Sequence, residues 1–523
     1  MFKPKQKISL TELVLFVLLF AQLILLIIFN LTKLSAVADF DSSAAMAQAM
    51  EIHRQKTLFI SDWIYQSTLG LDSLLPLASL LYGLTHNIFM AYGIANCIGT
   101  LFFLYIIIST ADLLNIKRTT SLCSCIFVLT PFSTAMLGYF PMMFVNASYY
   151  MMKALLPVIL ISIIIRIQKN KFRPGHCILV IILLWLSFFT GFSCSLYLMM
   201  CGFIPVLAAQ LINICTEKFY NKNNVKQMFI SFIPSILACI MCMAGMLSVK
   251  YYYPNTFTSE MILCTSSNFF DNFFRFIMGF FELFGAVAYK DTTVLSYDGI
   301  FILLHLCLAI IYIIFISTGI KKLRNNINNN DFLYFFMVIT INFIILILTY
   351  TTYGSGTYEY RYFLIPFISG IFLFCYGADA LSARIKAHAA NILTLICAVF
   401  ILLVSVLSYN DYNKIDYGND DLKKLSESLI QHDISVAYFI DTTNKSEIDA
   451  RVLRLFSDSV NIVYGNRYGE FKDWGTSSKY FDTEYIENTD SAIISTSDSN
   501  PDTPDIYNYS YSVGDYKVYT IKK

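Results

Sequence analysis

Long apolar runs separated by short polar segments fill residues 1–408 of the chain. A membrane span needs about 20 consecutive, mostly apolar residues, and this rule predicts about eleven spans. The predicted spans cover residues 9–31, 88–111, 120–137, 142–165, 177–190, 195–214, 229–248, 299–320, 331–351, 362–378 and 390–408. The pattern therefore predicts an all-α polytopic membrane protein.

The pattern changes after residue 409, where Asp, Ser, Thr, Asn and Tyr replace the apolar runs. Helical periodicity alternates there with short runs typical of strands. The predicted helices are Asp420–Gln431 and Lys445–Phe456, and the predicted strands are Val436–Ile440, Val460–Tyr464, Ser491–Ser495 and a hairpin within Tyr509–Thr520. Residues 409–523 are therefore predicted to form a small C-terminal α/β domain.

Composition agrees with a chain that is solvated by lipid. Apolar residues make up 56% of the 523 positions and charged residues 14%, whereas soluble domains carry about 25% charged residues. Mean hydropathy is +0.59. A net charge of +1 gives no reason to expect nucleic-acid binding. None of the 13 cysteines follows Cys397, so the C-terminal domain is not a disulfide scaffold.

The positions of the cations predict the orientation in the membrane, because short cytoplasmic loops carry an excess of Lys and Arg. Under the predicted map these cations share one side: Lys3, Lys5, Lys7, Lys117, Arg118, Arg166, Lys169, Lys171, Arg173, Lys218, Lys222, Lys226, Lys321, Lys322, Arg324, Arg384 and Lys386. The N-terminus is then cytoplasmic, and the first apolar run is too long for a cleaved signal peptide. We therefore expect a transmembrane domain over 1–408, with outer loops 32–87 and 250–298, and an extracytoplasmic domain over 409–523.

Two carboxylates, Asp39 and Asp41, follow the first predicted span and precede Ser42 and Ser43. A pair at this spacing suits a general base with a supporting carboxylate, or a divalent cation such as Mg²⁺ or Mn²⁺. The same residues equally suit the start of a helix near Ala44, where acidic and hydroxyl side chains are favoured. The residues alone leave both interpretations open.

Two further segments combine charged and aromatic residues at predicted membrane boundaries. Asp62 and Trp63 end the first polar stretch, where an interfacial Trp is commonly an anchor. Glu359, Arg361 and Tyr362 lie at the outer end of the tenth predicted span. An arginine there can grip a phosphate, and it can also reach to lipid headgroups or pair with the glutamate.

Taken in order, these segments resemble large bacterial multi-pass glycosyltransferases of the GT-C class. The resemblance is stronger to an uncharacterised branch of that class that uses polyprenyl-phosphate sugar donors. The segments that carry it are Asp39-Phe40-Asp41-Ser42, Asp62-Trp63-Ile64-Tyr65, Arg361 to Pro366, and Lys472-Asp473-Trp474-Gly475-Thr476-Ser477-Ser478. The branch often has Glu and Arg where this chain has Thr68 and Gly70.

The resemblance implies a GT-C-like fold in the cell membrane and a glycosyltransferase of the hexosyltransferase type. It would move a sugar from a polyprenyl-phosphate donor to a surface glycan or lipid acceptor on the outer face. The catalytic or metal-contacting carboxylate of the class would be Asp39 or Asp41, and the contact to the lipid phosphate would be Arg361. Glu359, Tyr362, Asp62 and Trp63 are then expected to bind substrate.

Two alternatives remain at the level of the sequence. A polysaccharide polymerase or ligase would share the donor chemistry but join preassembled chains. A non-enzymatic lipid or solute transporter would favour charges within spans, and Lys153 is the clearest such charge. Large outer segments favour the enzyme. We predict Asp41 rather than Asp39 as the catalytic base, because Asp39 lies closest to the first span.

Overall fold

The computed structural model describes residues 9–65, 70–133, 138–194, 196–216, 222–252, 261–288, 291–325, 331–351, 360–440, 444–465, 475–481, 489–496 and 507–521. The chain divides into two compact units. Unit 1 comprises Met1–Ile27, Ile98–Phe144 and Ser148–Tyr412, and unit 2 comprises Ile28–Cys97, Val145–Ala147 and Asn413–Lys523. The first polar stretch of the chain therefore belongs to the same unit as the C-terminal tail.

Helices dominate the described residues, as the apolar pattern predicts. They are α1 (Leu10–Thr32), α2 (Phe40–Gln55), α3 (Leu75–Thr85), α4 (Ile88–Leu113), α5 (Arg118–Val128), α6 (Tyr139–Phe144), α7 (Met151–Gln168), α8 (Cys177–Cys194), α9 (Ile204–Thr216), α10 (Lys222–Tyr252), α11 (Phe269–Leu283), α12 (Tyr297–Asn325), α13 (Asp331–Leu348), α14 (Leu364–Ser382), α15 (Ala387–Asn413), α16 (Asn419–Gln431) and α17 (Asn444–Leu453). Within the described ranges, nine helices are long and apolar enough to cross a membrane: α1, α4, α7, α8, α10, α12, α13, α14 and α15. The prediction of a polytopic helical membrane protein is confirmed.

Two of the predicted spans form helices that are too short to count among the nine. The predicted span over 120–137 corresponds to α5, which has 11 residues and ends at Val128. Pro131 follows soon after this end, and proline favours a break because it lacks the backbone N–H and clashes with the preceding turn. The predicted span over 195–214 corresponds to a shorter apolar helix, Met199–Cys215, which opens with a π-helical turn.

Unit 1 is built around two of the most enclosed helices. In the apolar stretch of α7, 83% of the residues are buried, and in that of the segment containing α14, 78% are buried. Helices α12 and α14 approach closely through Gly319 and Gly377, where an added Cβ would overlap the carbonyl of Leu373 or of Phe315. Small residues allow such close approach in membranes, where van der Waals packing drives helix association.

The strands form one larger sheet and two short pairs. They are β1 (Trp63–Ile64), β2 (Met261–Leu263), β3 (Thr349–Thr351), β4 (Val436–Phe439), β5 (Asn461–Tyr464), β6 (Thr476–Ser477), β7 (Ser491–Thr496), β8 (Tyr507–Val513) and β9 (Tyr516–Ile521). In unit 1, β2 pairs with β3. In unit 2, the five-stranded sheet has the order β5-β4-β7-β9-β8 and β1 pairs with β6.

The five-stranded sheet confirms the α/β domain predicted for the tail. Strand β4 is parallel to β5 and to β7, whereas β9 is antiparallel to β7 and β8. All four residues of β4 are buried, as expected for a strand covered on both faces. One core cluster joins Val436 and Tyr438 of β4 with Val463 of β5 and Tyr480.

Candidate functional site

The acidic pair lies at the first turn of α2 in unit 2. The helix begins at Phe40, four positions before the predicted start near Ala44, so Asp39 is its N-cap. Asp39 Oδ1 accepts a hydrogen bond of 2.7 Å from the backbone N–H of Ser42, and the Ser42 hydroxyl accepts one of 3.0 Å from the Asp39 N–H. This reciprocal capping box fixes the start of the helix.

Asp39 is also buried, with 3% of its surface exposed. Its second oxygen, Oδ2, accepts a 3.0 Å hydrogen bond from the Nδ2 group of Asn146, which lies 107 positions along the chain. Burial raises the pKa of Asp39 to about 6, although the bonds from Ser42 and Asn146 oppose that rise. Both carboxylate oxygens of Asp39 are therefore held by hydrogen bonds within the protein.

Asp41 lies within the first turn of α2 and is half-buried. Asp39, and not Asp41, is the N-cap of the helix. The helix dipole at this end favours a negative charge on Asp41. The residue between the two carboxylates, Phe40, is covered by Arg451 of α17, whose guanidinium carbon lies 3.9 Å from the ring centroid. Arg451 is 1% exposed and pairs with Glu447 at 2.7 Å. The tail thus packs directly on the acidic turn.

Asp62 and Trp63 belong to a strand pair that joins two distant parts of unit 2. Trp63 and Ile64 of β1 pair antiparallel with Ser477 and Thr476 of β6. The hydroxyl of Ser477 donates a hydrogen bond to Asp62 Oδ2, and the Ser478 N–H donates one of 2.7 Å to the Asp62 carbonyl. Burial by itself would raise the pKa of Asp62, but the hydrogen bonds from Ser477 and Gln55 lower that pKa below its ordinary value. Its carboxylate is therefore part of a structural contact.

A small cavity of about 50 Å³ lies beside Trp63 and is also lined by Glu51, Arg54 and Arg454. It has room for a few water molecules. Arg454 donates hydrogen bonds of 2.7 Å to the Ile462 carbonyl and 2.9 Å to the Gly475 carbonyl. The arginine therefore ties the segment that leads into β6 to the five-stranded sheet.

Arg361 and Tyr362 lie in unit 1, in a 3₁₀ turn that leads into α14. The guanidinium carbon of Arg361 lies 5.3 Å from the ring centroid of Tyr362. The Tyr362 ring in turn meets Tyr197 edge-to-face, with 5.8 Å between the centroids. Glu359 lies outside the described residues, and so does Thr68. Gly70 has a φ of 67°, a conformation that favours glycine.

The structure brings together some of the predicted residues and adds partners that the sequence analysis did not select. Asp39 and Asp41 share one helical turn of unit 2, and Asp62 and Trp63 share one strand segment of the same unit. Asn146, Arg451 and Ser477 were missed, because each lies far along the chain from the residue that it contacts. Ser477 alone had a signal, since it falls within the segment that carried the family resemblance.

A metal ion finds no preformed set of ligands in the part of the chain that the structure describes. Within those residues no three His, Cys, Asp or Glu side chains lie close enough together to hold one. The predicted Mg²⁺ or Mn²⁺ stays a prediction.

Comparison with known proteins decides the fold. No protein-family profile matches the chain, and no curated protein matches it. Among solved structures, ArnT from Cupriavidus metallidurans bound to undecaprenyl phosphate is similar, with a TM-score of 0.56 over 98% of both chains at 9% identity. The chain has the ArnT fold. ArnT in the apo state is similar too, with a TM-score of 0.55 over 97% of both chains at 10% identity.

The ArnT fold extends over the membrane helices and the tail alike, since the likeness covers almost the whole chain. It agrees with the GT-C-like fold that the sequence motifs implied. At this identity the likeness is one of architecture, so the roles of individual residues rest on their own geometry.

Proposed function

We propose that this protein is a membrane glycosyltransferase of the GT-C class that takes a sugar from a polyprenyl-phosphate donor. The acceptor would be a surface glycan or a lipid on the outer face of the membrane. The observation that carries the proposal is the ArnT fold over 98% of the chain, because the solved ArnT structure contains undecaprenyl phosphate. A multi-pass membrane protein with this fold has direct access to a lipid-linked donor.

The reaction would be a displacement at the anomeric carbon of the donor sugar. The acceptor hydroxyl oxygen bonds to that carbon, and the bond from the carbon to the phosphate oxygen breaks. The electron pair of the broken bond stays on the phosphate oxygen, and the hydroxyl proton passes to a carboxylate base. The products are the glycosylated acceptor and polyprenyl phosphate.

We assign the base to Asp41 and the phosphate contact to Arg361. Asp41 is half-buried in the first turn of α2 and leaves the cap to Asp39, which supports a catalytic role. Asp39 is engaged on both oxygens by Ser42 and Asn146, which supports a role in fixing the acidic turn. Arg361 offers the planar, permanently charged group that suits a phosphate.

A transfer assay in proteoliposomes tests the proposal. Purified full-length protein is supplied with a panel of polyprenyl-phosphate hexoses and pentoses and with envelope glycan and lipid fractions, and release of polyprenyl phosphate is measured. We expect release with at least one donor, and its loss in Asp41→Asn. Asp271→Asn is the matched control, because Asp271 also lies in the first turn of a helix but is exposed in unit 1.

Two results would contradict the proposal. Wild-type protein that consumes no donor of the panel would argue against a transferase, and movement of intact labelled donor across the bilayer would favour a transporter. Transfer of a preassembled chain in preference to a single sugar would keep the donor chemistry and change the product to that of a polymerase or ligase.

A further inference from the structure

Unit 2 contains a second, larger cavity that none of the roles assigned above uses. Its volume is about 400 Å³, which falls within the range of about 300 to 1,000 Å³ that small-molecule sites occupy. Its wall belongs entirely to unit 2. One side is formed by the ends of α1 and α3 and the start of α4, and the other by α16 and the segment that follows α17. The cavity therefore lies where two membrane-crossing helices meet the tail.

Helix α16 contributes one of its faces to the cavity. Asp420, Lys423 and Glu427 line the wall, and their spacing of three and four positions places them on the same side of the helix. All three are exposed, so a solute can reach them. Asp421 is the neighbour of Asp420 along the chain, but it lies outside the wall and pairs with Lys424 at 2.9 Å. The helix therefore carries one carboxylate in the cavity and a matched one beside it.

The wall of the cavity is net negative. Four carboxylates line it against one lysine, Lys423, and they belong to Asp416, Asp420, Glu427 and Asp458. Negative charge repels phosphate, so a polyprenyl-phosphate donor and its lipid phosphate product are poor ligands for this wall. The ligand that suits it is neutral or positively charged.

The carboxylates are spread around the cavity and do not converge on one point. Among the residues that the structure describes, no three acidic or other metal-ligating side chains lie close enough together to hold an ion. Asp458 already accepts a hydrogen bond from the Tyr82 hydroxyl, and Asp416 accepts one of 2.9 Å from the Gly418 N–H. An extended ligand with several hydrogen-bond donors fits this spacing better than a single cation does.

The rest of the wall supplies aromatic rings and amide groups. The rings of Phe89 and Phe456 lie 5.3 Å apart between centroids, and they offer apolar surface on which the C–H face of a sugar can pack. Asn87 and Asn419 add amides, which both donate and accept hydrogen bonds. Ionised carboxylates only accept hydrogen bonds, and each hydroxyl of a sugar can donate one. The wall therefore matches a ligand that is rich in hydroxyl groups.

Asn419 connects the cavity to the acidic turn. It is 5% exposed, and its Nδ2 donates hydrogen bonds of 2.8 Å to the Ser35 carbonyl and 3.4 Å to the Ala38 carbonyl. Ala38 directly precedes Asp39, the N-cap of α2. Asp41 does not line the cavity. A molecule that extends from the acidic turn into the cavity would therefore place there a part that does not react.

We propose that this cavity binds the carbohydrate of the acceptor, at sugar residues other than the one that receives the transferred sugar. The proposal rests on the proposed transferase function and names the class of its acceptor. That acceptor is a glycan, free or as the headgroup of a glycolipid, whose sugars carry no negative charge. Sugars bound away from the reacting hydroxyl interact equally in the ground state and in the transition state, so the cavity lowers the acceptor KM and leaves kcat unchanged.

Asp420→Ala in the full-length protein tests the proposal. Binding of labelled neutral oligosaccharides, built from hexoses, pentoses and N-acetylhexosamines, is measured in nanodiscs alongside transfer. We expect at least one oligosaccharide to bind, and Asp420→Ala to weaken that binding about tenfold because it removes a charged hydrogen-bond acceptor. The acceptor KM should rise by a similar factor, with kcat and the donor KM changed by less than about twofold.

Asp421→Ala is the matched control. Both aspartates lie in the first turn of α16 and are exposed, so the two variants lose the same favourable interaction with the helix dipole. We expect Asp421→Ala to keep wild-type binding and acceptor KM, and Glu427→Ala to behave like Asp420→Ala. A neutral glycolipid and the oligosaccharide released from it are compared, and binding of either one that is lost in Asp420→Ala supports the proposal and identifies the source of the sugar.

The outcomes separate this inference from the proposed function. Wild-type binding and acceptor KM in Asp420→Ala would overturn the site and leave the transferase intact. Preference for anionic oligosaccharides, or Ca²⁺ binding that depends on Asp420 without any oligosaccharide binding, would overturn the assignment of the ligand. Neutral oligosaccharide that binds through Asp420 in a protein that consumes no donor would overturn the transferase and keep the carbohydrate site.

Discussion

Asp39 and Asp41 are two positions apart, yet their environments differ. Asp39 is buried and bonded through both oxygens, whereas Asp41 is half-buried and leaves the cap to its neighbour. We expect Asp41→Asn to insert normally and to lower turnover by about 10²-fold or more, because it removes the base. Steady-state turnover and expression level are the measurements. Near-normal turnover in Asp41→Asn with a severe loss in Asp39→Asn would reverse the assignment, and near-normal turnover in both would end the carboxylate mechanism.

Asp39 should make stability depend on pH. Its pKa in the folded state is raised from 3.8 to about 6. Its contribution to the free energy of unfolding is therefore fully present below the pKa of the unfolded state, and it is lost as pH rises through the pKa of the folded state. The shift of about two units corresponds to roughly 3 kcal/mol. We expect the thermal midpoint of wild-type protein in detergent to fall between pH 4 and pH 6 more steeply than that of Asp39→Asn. Parallel curves would mean that Asp39 does not titrate in this range.

Arg361 should be sensitive to a substitution that keeps its charge. Lysine cannot reproduce the two parallel hydrogen bonds that a guanidinium makes to a phosphate. A loss of about 1 to 3 kcal/mol per charge-assisted bond predicts a rise in donor KM of about tenfold or more for Arg361→Lys. Arg384→Lys, at an exposed arginine after α14, is the control. An unchanged KM would remove Arg361 from the donor site.

At the scale of elements, β1 and β6 tie the segment that follows α2 to the tail. The pair has two residues in each strand, so the side-chain bond from Ser477 to Asp62 should contribute much of its stability. We expect Ser477→Ala to speed hydrogen exchange at the amides of Gly475 and Ser478 about fivefold, which corresponds to about 1 kcal/mol of local opening.

Ser512→Ala is the control for this exchange experiment, because Ser512 of β8 also bonds through its hydroxyl but is exposed. Unchanged exchange in Ser477→Ala would show that the backbone pairing alone holds β6. It would also leave the Asp62 carboxylate available for the substrate contact that the sequence predicted for it, which stays a prediction.

At the scale of the whole molecule, charge and span number predict the orientation. The eleven predicted spans are an odd number, so they place the two termini on opposite sides of the membrane. A reporter that works only in the cytoplasm, fused after Lys523, should give no signal, because the predicted map puts the cation-rich loops on the cytoplasmic side and the C-terminus on the other. The same reporter fused within the loop at residues 166–173 should be active. A strong signal from the C-terminal fusion would reverse the map.

Local patterns determined the architecture of this protein. A run of about 20 apolar residues has few stable alternatives to a membrane helix. Alternating helical and strand periodicities in the tail likewise led to α16, β4, α17 and β5 at nearly the predicted positions. The end of α5 was harder to predict, because an apolar run continues past Pro131.

Only the tertiary structure decided which polar residues work together. Asp39 caps α2 through Ser42, a neighbour along the chain, whereas its second oxygen accepts a hydrogen bond from Asn146, 107 positions away. Ser477 reaches Asp62 across 415 positions. A sequence pattern reports the neighbours of a residue along the chain. The pKa of a carboxylate and the ligand of a buried cation depend instead on neighbours in space, which packing alone brings together.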